Sequence, residues 1–170
     1  MNYIDFFDQG ADHFAQRSCL QDANHKLSYQ DTQAYSHRVA LALHTEQMGE
    51  GNKVAVYSPN HVLGVIAVLG IARSGAAVVS INAKSALDEN VATLQNSEVE
   101  WLFFHSCFEP FITEIRARVL ALKGCICIDQ ACPSAESLEQ WSAPFTGQAP
   151  ILSEDPTRLF TLGATGGTTG

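Results

Sequence analysis

Short β-rich runs alternate with longer helical stretches along most of the chain, and this alternation constrains the fold more than any other feature of the sequence. Residues 54–57, 76–81 and 101–104 are apolar runs of strand length, and a stretch with helical spacing follows each of them. Strands that alternate with helices in this way build a mostly parallel sheet with helices on its faces. The sequence therefore predicts an α/β fold.

Capping and turn residues set the expected ends of these elements. Ser28 with Asp31, and Ser85 with Asp88, have the spacing of a capping box at a helix start. Gly75 is suited to end a helix in the left-handed conformation. Residues 132–150, rich in Pro, Ser, Ala and Gln, are expected to form a connecting segment. Helices are expected over about 4–17, 29–48, 60–74, 86–97 and 111–122, and strands over 54–57, 76–81, 101–104, 125–128 and 158–162.

Composition excludes several classes of protein. With 170 residues, of which 46% are apolar and 16% charged, the chain can bury one sizeable core and is neither disordered nor fibrous. A formal net charge of −8 without a Lys/Arg cluster argues against nucleic acid or an anionic membrane as a partner. The longest uncharged apolar run, residues 62–72, is too short to cross a bilayer, so no membrane span is expected.

Cysteine usage and the N-terminal residues point to a reducing compartment. Five cysteines, an odd number, favour free thiols over a disulfide framework in a chain of this size. Asp5 and Asp8 stand where a secretory signal would place a basic and then an apolar stretch. We therefore expect a cytoplasmic protein without disulfide bonds.

The glycine- and threonine-rich segment of residues 163–170 follows an apolar strand directly. Its glycines let successive backbone N–H groups converge, and its threonine hydroxyls add donors, so the segment is a candidate cradle for phosphate oxygens. It does not satisfy the Walker pattern, because the glycine interval differs and no lysine follows. The alternative is a flexible polar chain end.

Four sequence pieces in order resemble motifs of one enzyme family. Residues 27–31 (Leu-Ser-Tyr-Gln-Asp) are similar to its Leu-Thr/Ser-Tyr-x-Glu-Leu opening motif, and residues 51–56 (Gly-Asn-Lys-Val-Ala-Val) to its Gly-Asp-x-Val-Ala-Ile strand entry. Residues 71–81 resemble its Leu-Lys-Ala-Gly-Ala-Ala-Tyr/Val-Val-Pro-Ile segment, and residues 165–170 resemble its Thr-Ser/Gly-Gly-Thr-Thr-Gly phosphate loop. The family is the adenylate-forming (AMP-binding) enzyme superfamily, and the resemblance is to its acyl-CoA synthetases.

This resemblance implies a ligase that activates a small carboxylic acid with ATP and Mg²⁺, forming an acyl-adenylate and pyrophosphate. A thiol, commonly that of coenzyme A, then takes the acyl group. The resemblance assigns phosphate binding to six residues, Thr165, Gly166, Gly167, Thr168, Thr169 and Gly170. It places the catalytic residues beyond Gly170, because residues 1–170 correspond to part of the N-terminal AMP-binding domain, ending within the phosphate loop, with the C-terminal domain absent. The isolated chain is then expected to be inactive.

Three other functions remain open at this point. One is a non-catalytic α/β binding or structural module, and another is an amino-acid adenylation domain of a peptide synthetase. A dinucleotide-binding Rossmann domain would place a glycine-rich turn after the first strand, where Ser58-Pro59-Asn60-His61 stands instead.

Metal ligation is not expected from ligand spacing. Cys125, Cys127 and Cys132 lack the two-residue interval of paired zinc ligands, and the first two are expected to pack as small apolar groups on a strand. The six histidines are scattered without i, i+4 spacing, and His37 and His44 are expected on the solvent side of one helix. Acidic residues such as Asp22 and Asp129 are most simply solvated loop charges.

Overall fold

Seven strands and six α-helices make up residues 3–163, the part of the chain that the computed structural model describes. The strands are β1 (Ser18–Gln21), β2 (Lys26–Ser28), β3 (Lys53–Tyr57), β4 (Ala77–Ser80), β5 (Trp101–Phe104), β6 (Gly124–Cys127) and β7 (Thr161–Gly163). The helices are α1 (Tyr3–Phe14), α2 (Tyr29–Thr45), α3 (Val62–Ser74), α4 (Leu87–Asn96), α5 (Glu109–Arg118) and α6 (Leu138–Ser142), and a 3₁₀ turn spans Ser106–Phe108.

Five of these strands form one parallel sheet in the order β6-β5-β3-β4-β7. On the central strand β3, Ala55 pairs with Val79 of β4 on one side and with Leu102 of β5 on the other. At the edge, Ser80 of β4 pairs with Gly163 of β7. The predicted α/β class with a mostly parallel sheet is confirmed.

Helices cover both faces of the sheet because successive strand residues point to opposite sides. On one face, Val54 and Phe103 pack in a core with residues of α2, α3 and α6. On the other face, Ala55 and Leu102 pack with residues of α4 and α5. The strands are therefore buried on both faces, which explains why they read as continuous apolar runs.

A close approach of α2 and α3 depends on one glycine. A Cβ atom at Gly70 of α3 would collide with the side chain of Val39 on α2. The two helices can lie this close only because position 70 has no side chain.

Helix α1 is linked to α3 by a partly buried ion pair. The Arg73 guanidinium, only 5% exposed, donates to both carboxylate oxygens of Asp8 at 2.6 and 2.8 Å, and its Nε donates to Ser36 Oγ. Burial raises the pKa of Asp8, but the hydrogen bonds from Arg73 and Gln33 outweigh it and hold that pKa below its ordinary value. The hydrogen bonds of this ion pair compensate for the hydration that both charged groups lose when they are buried.

Tryptophan contacts fix α6 against the sheet. The ring of Trp101 lies where a Cβ atom at Gly124 would be, and Trp141 of α6 stacks on it with ring centroids 5.9 Å apart. Phe103 meets Trp141 edge-on, with ring centroids 5.6 Å apart.

All five predicted strands are present, and their ends lie within three residues of the expected ones.

Of the three predicted helix caps, the structure confirms two and corrects the third. Ser28 and Asp31 form a complete capping box, and Gly75 ends α3 with φ 88°. The second predicted capping box is wrong, because Ala86 is the N-cap of α4 and makes no side-chain cap bond. Ser85 instead contacts Asn82 Nδ2 through its hydroxyl at 3.1 Å.

Two strands and one α-helix were not predicted. The hairpin of β1 and β2 precedes α2, and α6 lies within the expected connecting segment. A capping box of Ser137 and Gln140 begins α6. None of the described helices is long and apolar enough to cross a membrane.

Candidate functional site

The carboxyl edge of the sheet is the natural place for a ligand in this fold. The connection from β3 to β4 runs through α3 on one face, whereas the connection from β5 to β6 runs through α5 on the other. When the connections of two adjacent strands lie on opposite faces of the sheet, a crevice forms beyond the carboxyl ends of those strands. Ligands of open α/β sheets bind in this crevice. In this chain the crevice lies between β3 and β5.

A polar loop and a cleft follow β3. Ser58 Oγ donates to the carbonyl of Pro59 at 2.7 Å, and His61 begins α3 by accepting the backbone N–H of Leu63 on its Nδ1 at 3.2 Å. The cleft has a volume of about 300 Å³ and runs from this loop to Ser80 at the end of β4. It therefore joins the ends of β3 and β4 on the ligand edge of the sheet.

The loop after β4 is held by amide side chains. Asn82 accepts the backbone N–H of Lys84 on Oδ1 at 3.0 Å, and Asn90, which is buried in α4, donates to the carbonyl of Asn82 at 3.1 Å. These bonds satisfy backbone groups that a sheet ladder would otherwise satisfy. The loop beside β4 is thereby fixed from within the chain.

Asp129 joins the loops after β5 and β6. Its carboxylate accepts the backbone N–H of Ser106 at 2.8 Å and the Ser106 hydroxyl at 2.6 Å, and it lies 3.6 Å from Nε2 of His105. Burial raises the pKa of Asp129, but the bonds from Ser106 outweigh it and lower that pKa overall. The expectation of a solvated loop charge is wrong, because this aspartate closes two loops.

Asp22 has a similar structural role on the other side of the crevice. Its carboxylate accepts the backbone N–H groups of Asn24 and His25 in the β1–β2 turn, both at 2.8 Å, and that of Val62 at 3.2 Å. Burial raises the pKa of Asp22, yet these bonds hold it far below its ordinary value. This carboxylate is therefore also not a solvated charge, since it bridges the hairpin to the start of α3.

Three imidazoles lie in a row across the crevice. The ring of His61 is 5.3 Å from that of His25 and 5.1 Å from that of His105, edge-on in both cases. Burial is the largest cause of the lowered pKa of His61. The imidazoles of His25 and His105 lower this pKa further, whereas the Asp22 carboxylate raises it. Sequence spacing could not reveal this row, because the three histidines belong to three separate loops.

The predicted phosphate-binding residues follow β7 closely in the sequence. Thr165, Gly166, Gly167, Thr168, Thr169 and Gly170 lie outside the described residues. The last described residue, Gly163, pairs with Ser80 in parallel register, so the chain enters this segment at the carboxyl edge of the sheet, beside β4.

Burial distinguishes two of the five cysteines from the other three. Cys125 and Cys127 are buried in β6 and pack in the core beneath α5, as predicted, and all five cysteines are free. Burial, the largest cause, raises the pKa of Cys125, so this thiol stays protonated near neutral pH.

A sequence model of one protein family matches residues 7–170, almost the whole chain, and its description is "AMP-binding enzyme". The chain belongs to the AMP-binding enzyme family. A curated relative, the crotonobetaine/carnitine–CoA ligase of Escherichia coli O1:K1 / APEC, is 30% identical over 149 residues, which cover 82% of this chain and 29% of the relative. The chain thus spans under a third of the length of this relative.

Solved structures of similar fold support the architecture. The anthranilate CoA ligase AuaEII, crystallised with anthranoyl-AMP, superimposes with a TM-score of 0.91 at 20% identity, over 100% of this chain and 32% of that one. A fatty acyl CoA synthetase of Mycobacterium tuberculosis gives a TM-score of 0.85 at 21% identity, over 96% and 32% of the two chains. The AMP-binding family fold therefore includes the sheet and helices described above.

Proposed function

We propose that this chain is the first part of the N-terminal domain of an adenylate-forming acyl-CoA ligase. Membership of the AMP-binding enzyme family and the similarity to a CoA ligase support the class of reaction. The observation that carries the proposal is the parallel register of Ser80 with Gly163, because it starts the glycine- and threonine-rich segment at the ligand edge of the sheet.

The proposed reaction has two steps. A carboxylate oxygen of the substrate attacks the α-phosphorus of ATP, so a P–O bond forms and the bond to pyrophosphate breaks. The coenzyme A sulfur then attacks the carbonyl carbon of the acyl-adenylate, the thiol proton leaves, and AMP is released. The first step brings two anions together, so the protein must neutralise and orient the triphosphate.

Residues 165–170 would supply donors for this task. Their backbone N–H groups, with the hydroxyls of Thr165, Thr168 and Thr169, suit the β- and γ-phosphate oxygens. Mg²⁺ would enter with ATP and offset further charge. Neither Asp22 nor Asp129 is assigned to it, because each carboxylate lies beside an imidazole, whereas Mg²⁺ prefers oxygen ligands.

The catalytic residues and the C-terminal domain would lie beyond Gly170, so the 170-residue chain alone is proposed to be inactive. We also propose a cytoplasmic location, which the five free thiols support.

Exchange of labelled pyrophosphate into ATP, measured on the product of the complete gene, tests the proposal. Thr168→Ala with Thr169→Ala should lower carboxylate-dependent exchange on the order of 100-fold, because two hydrogen bonds to the transition state are lost. Thr45→Ala, a substitution at the exposed end of α2, is the matched control and should exchange normally.

The outcomes also separate the alternatives. Exchange that depends on amino acids instead of other carboxylic acids would favour a peptide-synthetase adenylation domain. Absence of exchange with any carboxylate would favour a non-catalytic module. Normal exchange by the double threonine variant would remove these residues from the phosphate site.

A further inference from the structure

Asp22, His25 and His61 bring one carboxylate and two imidazoles together at the crevice. Oδ2 of Asp22 lies 3.2 Å from Nδ1 of His25 and 3.8 Å from Nε2 of His61, and the same Nδ1 forms a 2.9 Å hydrogen bond with Oδ1. One ligand atom from each residue lies within 4.8 Å of those of the other two. The β1–β2 turn supplies the first two residues and the start of α3 supplies the third, so the fold itself creates the cluster.

We propose that these three residues bind a divalent transition-metal ion of the Zn²⁺ class. Such ions take imidazole nitrogen and carboxylate oxygen at about 2.0–2.2 Å, so tetrahedral ligand atoms lie about 3.4 Å apart. The separations of 3.2 and 3.8 Å from Oδ2 lie on either side of that spacing. Small side-chain rotations therefore bring all three donors to bonding distance.

The donor set distinguishes this ion from the Mg²⁺ of the proposed function. Mg²⁺ prefers oxygen ligands, whereas two imidazoles with one carboxylate suit Zn²⁺, Co²⁺ or Ni²⁺. Three protein donors leave a fourth position open, as in catalytic zinc sites. This position would accept water or a ligand, and His105 adds a further imidazole next to His61, with ring centroids 5.1 Å apart.

The cluster is preorganised and open to solvent. Backbone N–H groups from both elements hold the Asp22 carboxylate in place, so ordering it costs little when an ion arrives. The side chains of Asp22, His25 and His61 are 23%, 32% and 15% exposed, and His61 also lines the cleft after β3. An ion can therefore reach the donors without unfolding of the loops.

Metal binding competes with the helix cap that His61 provides. Nδ1 of His61 accepts the Leu63 N–H, so in the neutral ring the hydrogen is on Nε2. An ion on Nε2 moves that hydrogen to Nδ1, and the cap bond is then lost. We therefore expect weaker binding than that of a structural zinc site.

Titration of the full chain with Co²⁺ alone, followed by visible absorption, tests the site. One equivalent should produce the d–d bands of a nitrogen- and oxygen-ligated ion. His25→Gln and His61→Ser should each weaken binding at least about 10-fold, since each removes a direct ligand. Serine is a good N-cap, so the second variant should retain the start of α3. His13→Gln, on the exposed side of α1, is the control and should bind as the unchanged chain does.

Two results would overturn the proposal. One is Co²⁺ affinity that His25→Gln and His61→Ser leave unchanged, and the other is a thiolate charge-transfer band, which would assign the ion to cysteines. His25 lies in a turn, so its variant stays informative even if His61→Ser misfolds. The outcome is independent of pyrophosphate exchange, because the threonine double variant should keep its Co²⁺ binding.

Discussion

His37 lies on α2 with its imidazole turned into the protein rather than toward solvent. Its Nδ1 accepts the backbone N–H of Ala149 at 3.0 Å. His44, two turns further along the same face of α2, contacts the Ser74 carbonyl through Nε2 at 2.9 Å. The expectation that both mark the solvent side of α2 is therefore wrong. Their seven-residue spacing correctly places them on one face, but spacing cannot show that other segments cover that face.

Protonation of His37 should destabilise the protein in mild acid. Burial, the largest cause, and the Arg73 charge lower the pKa of His37 to about 4, against the opposite effect of Asp8. Because the unfolded chain binds this proton near the ordinary pKa of about 6.5, stability should fall as pH drops from about 6.5 to about 4. In His37→Gln, the melting temperature should decline less over this interval.

Thermal unfolding at a series of pH values measures this effect. His13→Gln is the control, because it removes an exposed imidazole from α1 and should keep the slope of the unchanged chain. Equal slopes in the His37→Gln variant and the unchanged chain would contradict the assignment of a depressed pKa to His37.

At the scale of elements, the α2–α3 contact should tolerate no added atom at position 70. Gly70→Ala places a methyl group against Val39 in a buried interface. Overpacking costs about 1–3 kcal/mol, and a collision with two carbon atoms of Val39 belongs at about 3 kcal/mol, so the gain in helix propensity of about 1 kcal/mol offsets only part of it. We expect a net loss in the free energy of unfolding of about 2 kcal/mol, measured by urea denaturation.

Gly64→Ala is the matched substitution in the same helix. Its added Cβ would lie 3.3 Å from Ser58 Oγ, a side-chain atom that can shift. This variant should stay within about 1 kcal/mol of the unchanged chain. If the two alanine variants were equally stable, the close helix approach would not depend on Gly70.

Sequence motifs predicted helix ends correctly where the residues of the motif themselves form the contact that begins or ends the helix. Ser28 and Asp31 form the expected capping box because their side chains and the helix start are adjacent in the chain. Ser85 and Asp88 have similar spacing but do not cap, since Ser85 instead contacts the Asn82 side chain. The short helix α6 was missed because tertiary packing of Trp141 contributes to its stability, and a five-residue helix has little periodicity to read.

At the scale of the whole molecule, stability should decrease from the centre of the sheet toward β7. Strand β3 has a parallel neighbour on each side, whereas β7 pairs with β4 alone among the described strands, and its Thr161 and Gly163 are exposed. Amides of β3 should therefore exchange hydrogen only through global unfolding, and those of β7 through local opening. Native-state hydrogen exchange of the full chain measures both, and equal protection in the two strands would contradict this gradient.

The sequence predicted the sheet class but not the crevice. Alternating runs sufficed for the fold, because each strand and helix carries its own apolar pattern. Asp22, His61 and Asp129 come together only through the strand order, which a single sequence does not state. The sequence shows that these residues are histidines and aspartates. Nothing in their spacing indicates that two carboxylates and three imidazoles lie at the same edge of the sheet.

The contact of Trp101 with Trp141 gives the chain a built-in optical probe. These are its two tryptophans, and their rings stack between β5 and α6. Intrinsic indole emission therefore originates from a single location, the docking of the shortest helix onto the sheet. A fluorescence trace recorded during denaturation reports the departure of α6, and it can be compared with circular dichroism to learn whether that helix leaves before the rest.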